Sequence, residues 1–173
     1  LSPRLKQLLA IGAIVLGLGV TFWAVFARKS DDELIREQLD RLAAAVGVDA
    51  PDENPIFRAN RLKKEFDTLF TQNVRVSVPE LEGAMRVTGR DDLVKVATRA
   101  GSYWRSAEVS WTSVDIKQVG GENNKNVDAT ALLVAEERGE MRRDERQVTL
   151  GFTKKDGNWL IDSLSVSPKE TSE

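Results

Sequence analysis

Lys154-Lys155-Asp156-Gly157-Asn158-Trp159-Leu160-Ile161-Asp162-Ser163-Leu164 places a tight turn between two strands. Asp156-Gly157-Asn158 has the residue types that accept turn geometry. Before it, Val148, Leu150 and Phe152 alternate along one strand face; after it, Trp159 to Val166 reads as the closing strand of a sheet. Further upstream the same pattern repeats. Glu137 to Glu140 turns through Gly139, and Val127 to Ala135 is apolar on both faces, as a central covered strand would be. Gly120-Gly121-Glu122-Asn123-Asn124 is another turn, preceded by a strand over Glu108 to Val119. There Val109 and Trp111 share one phase while Val114 and Ile116 lie one residue out of it. That slip predicts a β-bulge near Thr112–Ser113 and a bend in a long strand.

The middle of the chain reads as helices. Ser30-Asp31-Asp32-Glu33 matches a capping box, and Ile35, Leu39, Leu42 and Val46 form the apolar stripe of a helix that Gly47 ends. Asn54-Pro55, a cap followed by proline at the first helical position, opens a second helix with Ala59, Leu62, Phe66, Leu69 and Phe70 inward. Val74, Val76 and Val78 alternate in a strand that stops at Pro79, and Met85 to Val87 forms a short second strand. Gly89 opens a third helix carrying Leu93, Val94, Ala97, Ala100 and Trp104. Helices first and a curled antiparallel meander last make an α+β plan.

The closing hairpin, together with Gly89-Arg90-Asp91-Asp92-Leu93 at the start of the third helix, resembles the nuclear transport factor 2-like superfamily, which includes SnoaL-like and ketosteroid-isomerase-like proteins. The resemblance spans residues 30–167 and implies a cone: a bent antiparallel sheet wrapped around three helices, with an apolar pocket inside. It also implies that Trp159 points into the core. Phe66, Tyr103, Trp104 and Trp111 are the candidate pocket lining.

Residues 1–29 contain Arg4, Lys6, Arg28 and Lys29 and no acid, a charge of +4; the rest of the chain, with 21 basic and 27 acidic residues, carries −6. Such a balance is unsuited to nucleic acid, which needs a basic stripe. Arg138, Arg142, Arg143 and Arg146 are interleaved with Glu136, Glu137, Glu140, Asp144 and Glu145, a solvated mixed-charge hairpin. With no cysteine and no histidine, the chain has no disulfide, thiolate nucleophile, imidazole base or zinc site of the usual kind.

Leu8 to Ala27 is uncharged throughout, and at a helical rise it spans about 30 Å, the thickness of a hydrocarbon core. Arg4 and Lys6 bracket one end, Arg28 and Lys29 the other, and Trp23 sits where an interfacial ring would. The run is long for the apolar core of a cleaved signal peptide, so a retained membrane helix is expected. Ala10, Ala13, Gly17, Thr21 and Ala24 recur on one side of it, a seam that would admit close packing of a second helix. The flanking Lys and Arg count, taken alone, would leave the domain in the cytoplasm. The signal-anchor pattern instead predicts an exported, periplasmic domain on an inner-membrane helix.

The expected organisation is therefore a tail and membrane helix over residues 1–29, a cone domain over 30–168 and a C-terminal tail over 169–173. Enzymes of the resembled superfamily use histidine, aspartate and tyrosine in the cone. Here the strand acids Asp115, Asp128 and Asp162 lack partners by spacing and Tyr103 is the single tyrosine, so no catalytic residue, cofactor or metal is expected. The leading expectation is a non-catalytic single-pass subunit that packs on other membrane proteins of a secretion, respiratory or photosynthetic complex. Its plan, a cone on one membrane helix, matches the inner-membrane scaffold subunit of type IV secretion systems. The alternative is a membrane-tethered module holding an apolar small molecule. An empty, well-walled cavity would favour the alternative; one plugged by Trp104, Trp111 or Phe66 would favour the subunit.

Overall fold

Reciprocal hydrogen bonds join Ser30 and Glu33. The Ser30 N–H donates to the Glu33 carboxylate at 2.7 Å, and the Glu33 N–H donates to Ser30 Oγ at 3.2 Å. They form the expected capping box at the start of helix α1, Asp31–Val46. The bond from the Ser30 backbone also holds the Glu33 carboxyl below the ordinary glutamate range. The computed structural model describes residues 29–49, 53–78, 85–137 and 139–168. The expected membrane helix with its seam (Ala10, Ala13, Gly17, Thr21, Ala24) and the tail 169–173 lie outside the described residues. Among the described residues no helix is long and apolar enough to cross a membrane. The chain divides into two units, Leu1–Leu34 and Ile35–Glu173, and the sheet belongs to the second.

Asn54 accepts a hydrogen bond from the Ile56 N–H at 2.8 Å and Pro55 occupies the first helical position, starting α2, Pro55–Leu69. This helix passes directly into β1, Phe70–Val78, so Phe70 belongs to a strand and not to the helix as expected. β2, Met85–Thr88, pairs back on β1, and α3, Arg90–Gly101, follows Gly89, whose φ of +96° suits glycine. Trp104 lies beyond the end of α3. The meander consists of β3 Ser106–Gln118, β4 Asn124–Glu137, β5 Glu140–Lys155 and β6 Asn158–Pro168.

The strand order is β2-β1-β6-β5-β4-β3. All neighbours are antiparallel except β1 and β6, which run parallel with Val76 opposite Leu164. The expected antiparallel sheet is thus a mixed one. Apolar alternation fixes which face a strand buries and carries no information on the direction of a partner some ninety residues away.

Register slips curl the sheet, and besides the two described next the β1–β6 pairing slips between Phe70 and Arg75. The register slips between Trp111 and Ser113 in β3, as the phase change implied. A second slip lies opposite Gly151/Phe152, where Asp162 is inserted in β6. It lets Trp159 and Ile161 on one side and Leu164 and Val166 on the other all face inward. The expectation of a β4 covered on both faces needs correction. Val127, Ala129 and Ala135 are buried inward, while Leu132 and Val134 on the outer face are half-buried, flanked in register by Glu145 and Arg143 of β5. The alternation of apolar residues on both faces of β4 thus reflects its interior place in the sheet and not a second packed layer.

Helix α2 packs on β1 and β6. Here the interior is filled: Phe66 meets Phe70 edge-to-face at 4.9 Å between ring centroids, and Leu62, Leu150, Phe152, Trp159 and Ile161 are all fully buried.

Candidate functional site

The inner face of the sheet continues from that filled end into a hollow of about 310 Å³. Its floor comes from the strands: Val109 and Trp111 of β3, Ala131 and Leu133 of β4, Val148 of β5, Leu164 and Val166 of β6. Leu42, Ala43 and Val46 of α1 and Ala97, Ala100 and Gly101 of α3 wall it. Many of these residues, including Trp104, Val109, Trp111, Leu133, Leu164 and Val166, are only half-buried, so the hollow opens to solvent. Depressions of about 470 and 550 Å³ elsewhere include exposed charged residues such as Asp40, Glu108, Arg75 and Arg86 in their walls, and are surface relief.

The aromatic candidates separate. Trp104 and Trp111 both line the hollow. Trp111 is fixed by its indole Nε1–H, which donates to the Leu39 carbonyl at 2.9 Å, while Trp104 packs on the small cluster of Val48, Ala107 and Ala135. That cluster is tied by backbone bonds between Val48 and Ala107 at 2.7 and 3.0 Å. Phe66 belongs to the filled core, 1% exposed. Tyr103 stands apart from the hollow: at 70% exposed it faces solvent, in the turn that follows the end of α3 at Gly101.

Sequence reasoning passed over Arg58. On α2 it is 5% exposed, and it lines the hollow at the end of α1. Its guanidinium donates to the Val46 and Gly47 carbonyls, each at 3.2 Å, and to Glu53 at 3.3 Å. Arg61 donates to the Ala45 carbonyl at 3.1 Å and to Glu53 at 3.1 and 3.0 Å. Two arginines of α2 thus satisfy the carbonyls that the end of α1 leaves open, where a cation also suits the helix dipole. Arg61, then Arg58, holds the Glu53 carboxyl below the ordinary glutamate range, and Glu53 in turn raises Arg61. The available signal was Arg58 at i−4 from Leu62 and i−8 from Phe66, on the buried face of α2.

The second charged group in the wall is Arg146 of β5, in register with Ala131 of β4 and Pro168 of β6; its Nε bonds Asp144 at 2.8 Å. Among the described residues no carboxylate lines the hollow. Asp115 and Asp128 project from the outer face and share Lys117, at 3.1 and 2.9 Å. Lys117, with help from Thr149, keeps the Asp128 carboxyl low, and the two acids keep Lys117 raised. Asp162 sits in the β6 bulge, accepting from Ser163 Oγ at 3.1 Å. Among the described residues no carboxylate cluster is arranged to hold a metal ion.

No family model matches the chain, and no curated protein matches it. Solved structures do. A putative scytalone dehydratase from Novosphingobium aromaticivorans superposes with a TM-score of 0.62 at 17% identity, covering 83% of this chain and 95% of its own. A nuclear transport factor 2-like superfamily protein from Salmonella enterica serovar Typhimurium gives 0.61 at 16% identity, over 80% and 91% of the two chains. The fold is nuclear transport factor 2-like. A protein of this fold from Cytophaga hutchinsonii, at 13% identity and a TM-score of 0.60, is covered over its whole length by 82% of this chain. At these identities the likeness concerns the nuclear transport factor 2-like fold alone.

Proposed function

We infer that the cone domain is a non-catalytic binding module that takes an apolar small molecule into its hollow, tethered to a membrane by residues 1–29. The observation that carries this is the position of Trp104 and Trp111: both stand in the wall of a hollow of about 310 Å³ and leave its volume unfilled. That volume lies at the lower end of the range of about 300–1,000 Å³ usual for small-molecule sites, and the wall is apolar as such sites are. Of the two marks that would favour the second expectation from sequence, the hollow carries one, being empty, while its half-buried wall leaves it open to solvent. Catalysis is not part of the reading, because the charged groups on the wall are guanidiniums, which offer no acceptor for a proton. By the signal-anchor pattern the domain stands on the periplasmic side of an inner membrane.

Titration calorimetry of the full chain in lipid nanodiscs with phenylbutanol, empty nanodiscs subtracted, tests it. Binding should be saturable at one site per chain and lost in Ala131→Phe, which fills the hollow. Equal heats from both proteins would reject the site.

A second reading, an assembly subunit docked through its membrane helix, draws support from the seam of residues 10–24 and from Ile56 and Phe57, about 70% exposed on the first turn of α2. Bulky substitution in the seam (Ala13→Leu with Gly17→Leu) should release a co-purifying membrane partner while the helix stays inserted.

A further inference from the structure

Charge on the wall narrows the kind of molecule the hollow accepts. Among the described residues its two charged lining residues, Arg58 and Arg146, have the same sign, in a domain whose overall balance is acidic. Arg58 is committed to the end of α1 and to Glu53, which it shares with Arg61. Arg146 differs. It lies at the strand position where the inner face passes from apolar to polar, with Val148 and Leu150 on one side and Asp144 and Arg142 on the other. Its side chain keeps about a third of its surface open, and Asp144, its partner at 2.8 Å, is itself half exposed. Such a pair, screened by solvent, is worth little and can be exchanged at small cost.

Resting on the binding reading above, we propose that the ligand is an amphipathic carboxylate, its apolar body against Trp104 and Trp111 and its head group on Arg146. A guanidinium offers several N–H donors in a fixed fork, so Arg146 can receive an incoming carboxylate in place of Asp144 or beside it. A neutral body of the same shape gains the apolar burial alone, and an amine meets two like charges.

Three isosteric probes separate these terms: phenylbutyrate, phenylbutanol and phenylbutylamine, titrated into the full chain in nanodiscs at pH 7. The acid should bind about two- to fivefold more tightly than the alcohol, as a partly screened ion pair supplies, with the amine weakest. Arg146→Gln should bring acid and alcohol to equal affinity. Asp144→Asn, which removes one competing carboxylate, should tighten the acid and leave the alcohol unchanged. Equal binding of acid and alcohol by the unaltered chain, or a preference that survives Arg146→Gln in a folded protein, overturns the head-group assignment while leaving the apolar site standing. Failure of all three probes to bind removes the site itself.

Discussion

The inner face of the sheet has a filled end and an open end built by the same strands. Along β4 it carries Val127 and Ala129, then Ala131 and Leu133; along β5, Phe152 and Leu150, then Val148 and Arg146. Along β6 it carries Trp159 and Ile161, then, after the bulge, Leu164 and Val166. At the filled end Phe66, Phe70, Phe152 and Trp159 occupy the space between sheet and helices. At the open end the helices present Ala43, Ala97, Ala100 and Gly101 beside Leu42, Val46 and Arg58, and none of these is an aromatic ring that would fill the space. One end is built for stability and the other for occupancy. The difference lies in the size of the helix side chains as much as in the sheet.

The largest expected effect breaks the filled end. Trp159→Ala should cost about 3–5 kcal/mol in urea denaturation, since the ring is 1% exposed and Lys125 and Lys154 lie over it at 5.6 and 5.4 Å from its centroid. Ala131→Phe at the open end, adding a ring where there is room, should cost less than about 1 kcal/mol. Comparable losses at both ends would mean that the hollow is a packed interior.

Next comes the joint where the two ends meet. A Cβ at Gly101 would collide with the Arg58 guanidinium, which is pinned by the Val46 and Gly47 carbonyls. Gly101→Ala should therefore cost about 1–3 kcal/mol by displacing the cap of α1, and should cost little in an Arg58→Met background. Full additivity of the two changes would separate glycine from arginine.

Trp111→Phe removes one hydrogen bond, to the Leu39 carbonyl, and should cost about 1 kcal/mol. The smallest effect is acid sensitivity at Glu53. Its carboxyl is depressed in the folded state by Arg61 and Arg58, so its contribution is full above the ordinary glutamate value of 4.5 and is lost as pH falls through the lower folded value. Glu53→Gln should flatten the fall of stability in that acid window and leave its slope near neutrality unchanged.

Much of this was legible in the sequence. The phase slip between Trp111 and Val114 located the β3 bulge, and the caps at Ser30 and Asn54 fixed two helix starts. The same slip occurs in β6, where Trp159 and Ile161 fall in one phase and Leu164 and Val166 in the other, and its reading there would have located the second bulge. Other features were closed to it. The parallel pairing of β1 with β6 is a long-range choice that periodicity does not encode. The spacing of Arg58 to Leu62 and Phe66 signals its burial, but the backbone carbonyls it bonds have no signature in side-chain identity. Of the four aromatic candidates, Trp104 and Trp111 stand at the hollow, because residue type alone does not separate a wall from a core or a surface.

The binding claim is tested most directly by the indole N–H resonances of the full chain, which contains four tryptophans. On addition of phenylbutyrate to ¹⁵N-labelled protein in nanodiscs, the Trp104 and Trp111 signals should move in a saturable way while that of Trp159 stays fixed. Four unmoved signals, or a Trp159 shift as large as the other two, would contradict a ligand site confined to the open end.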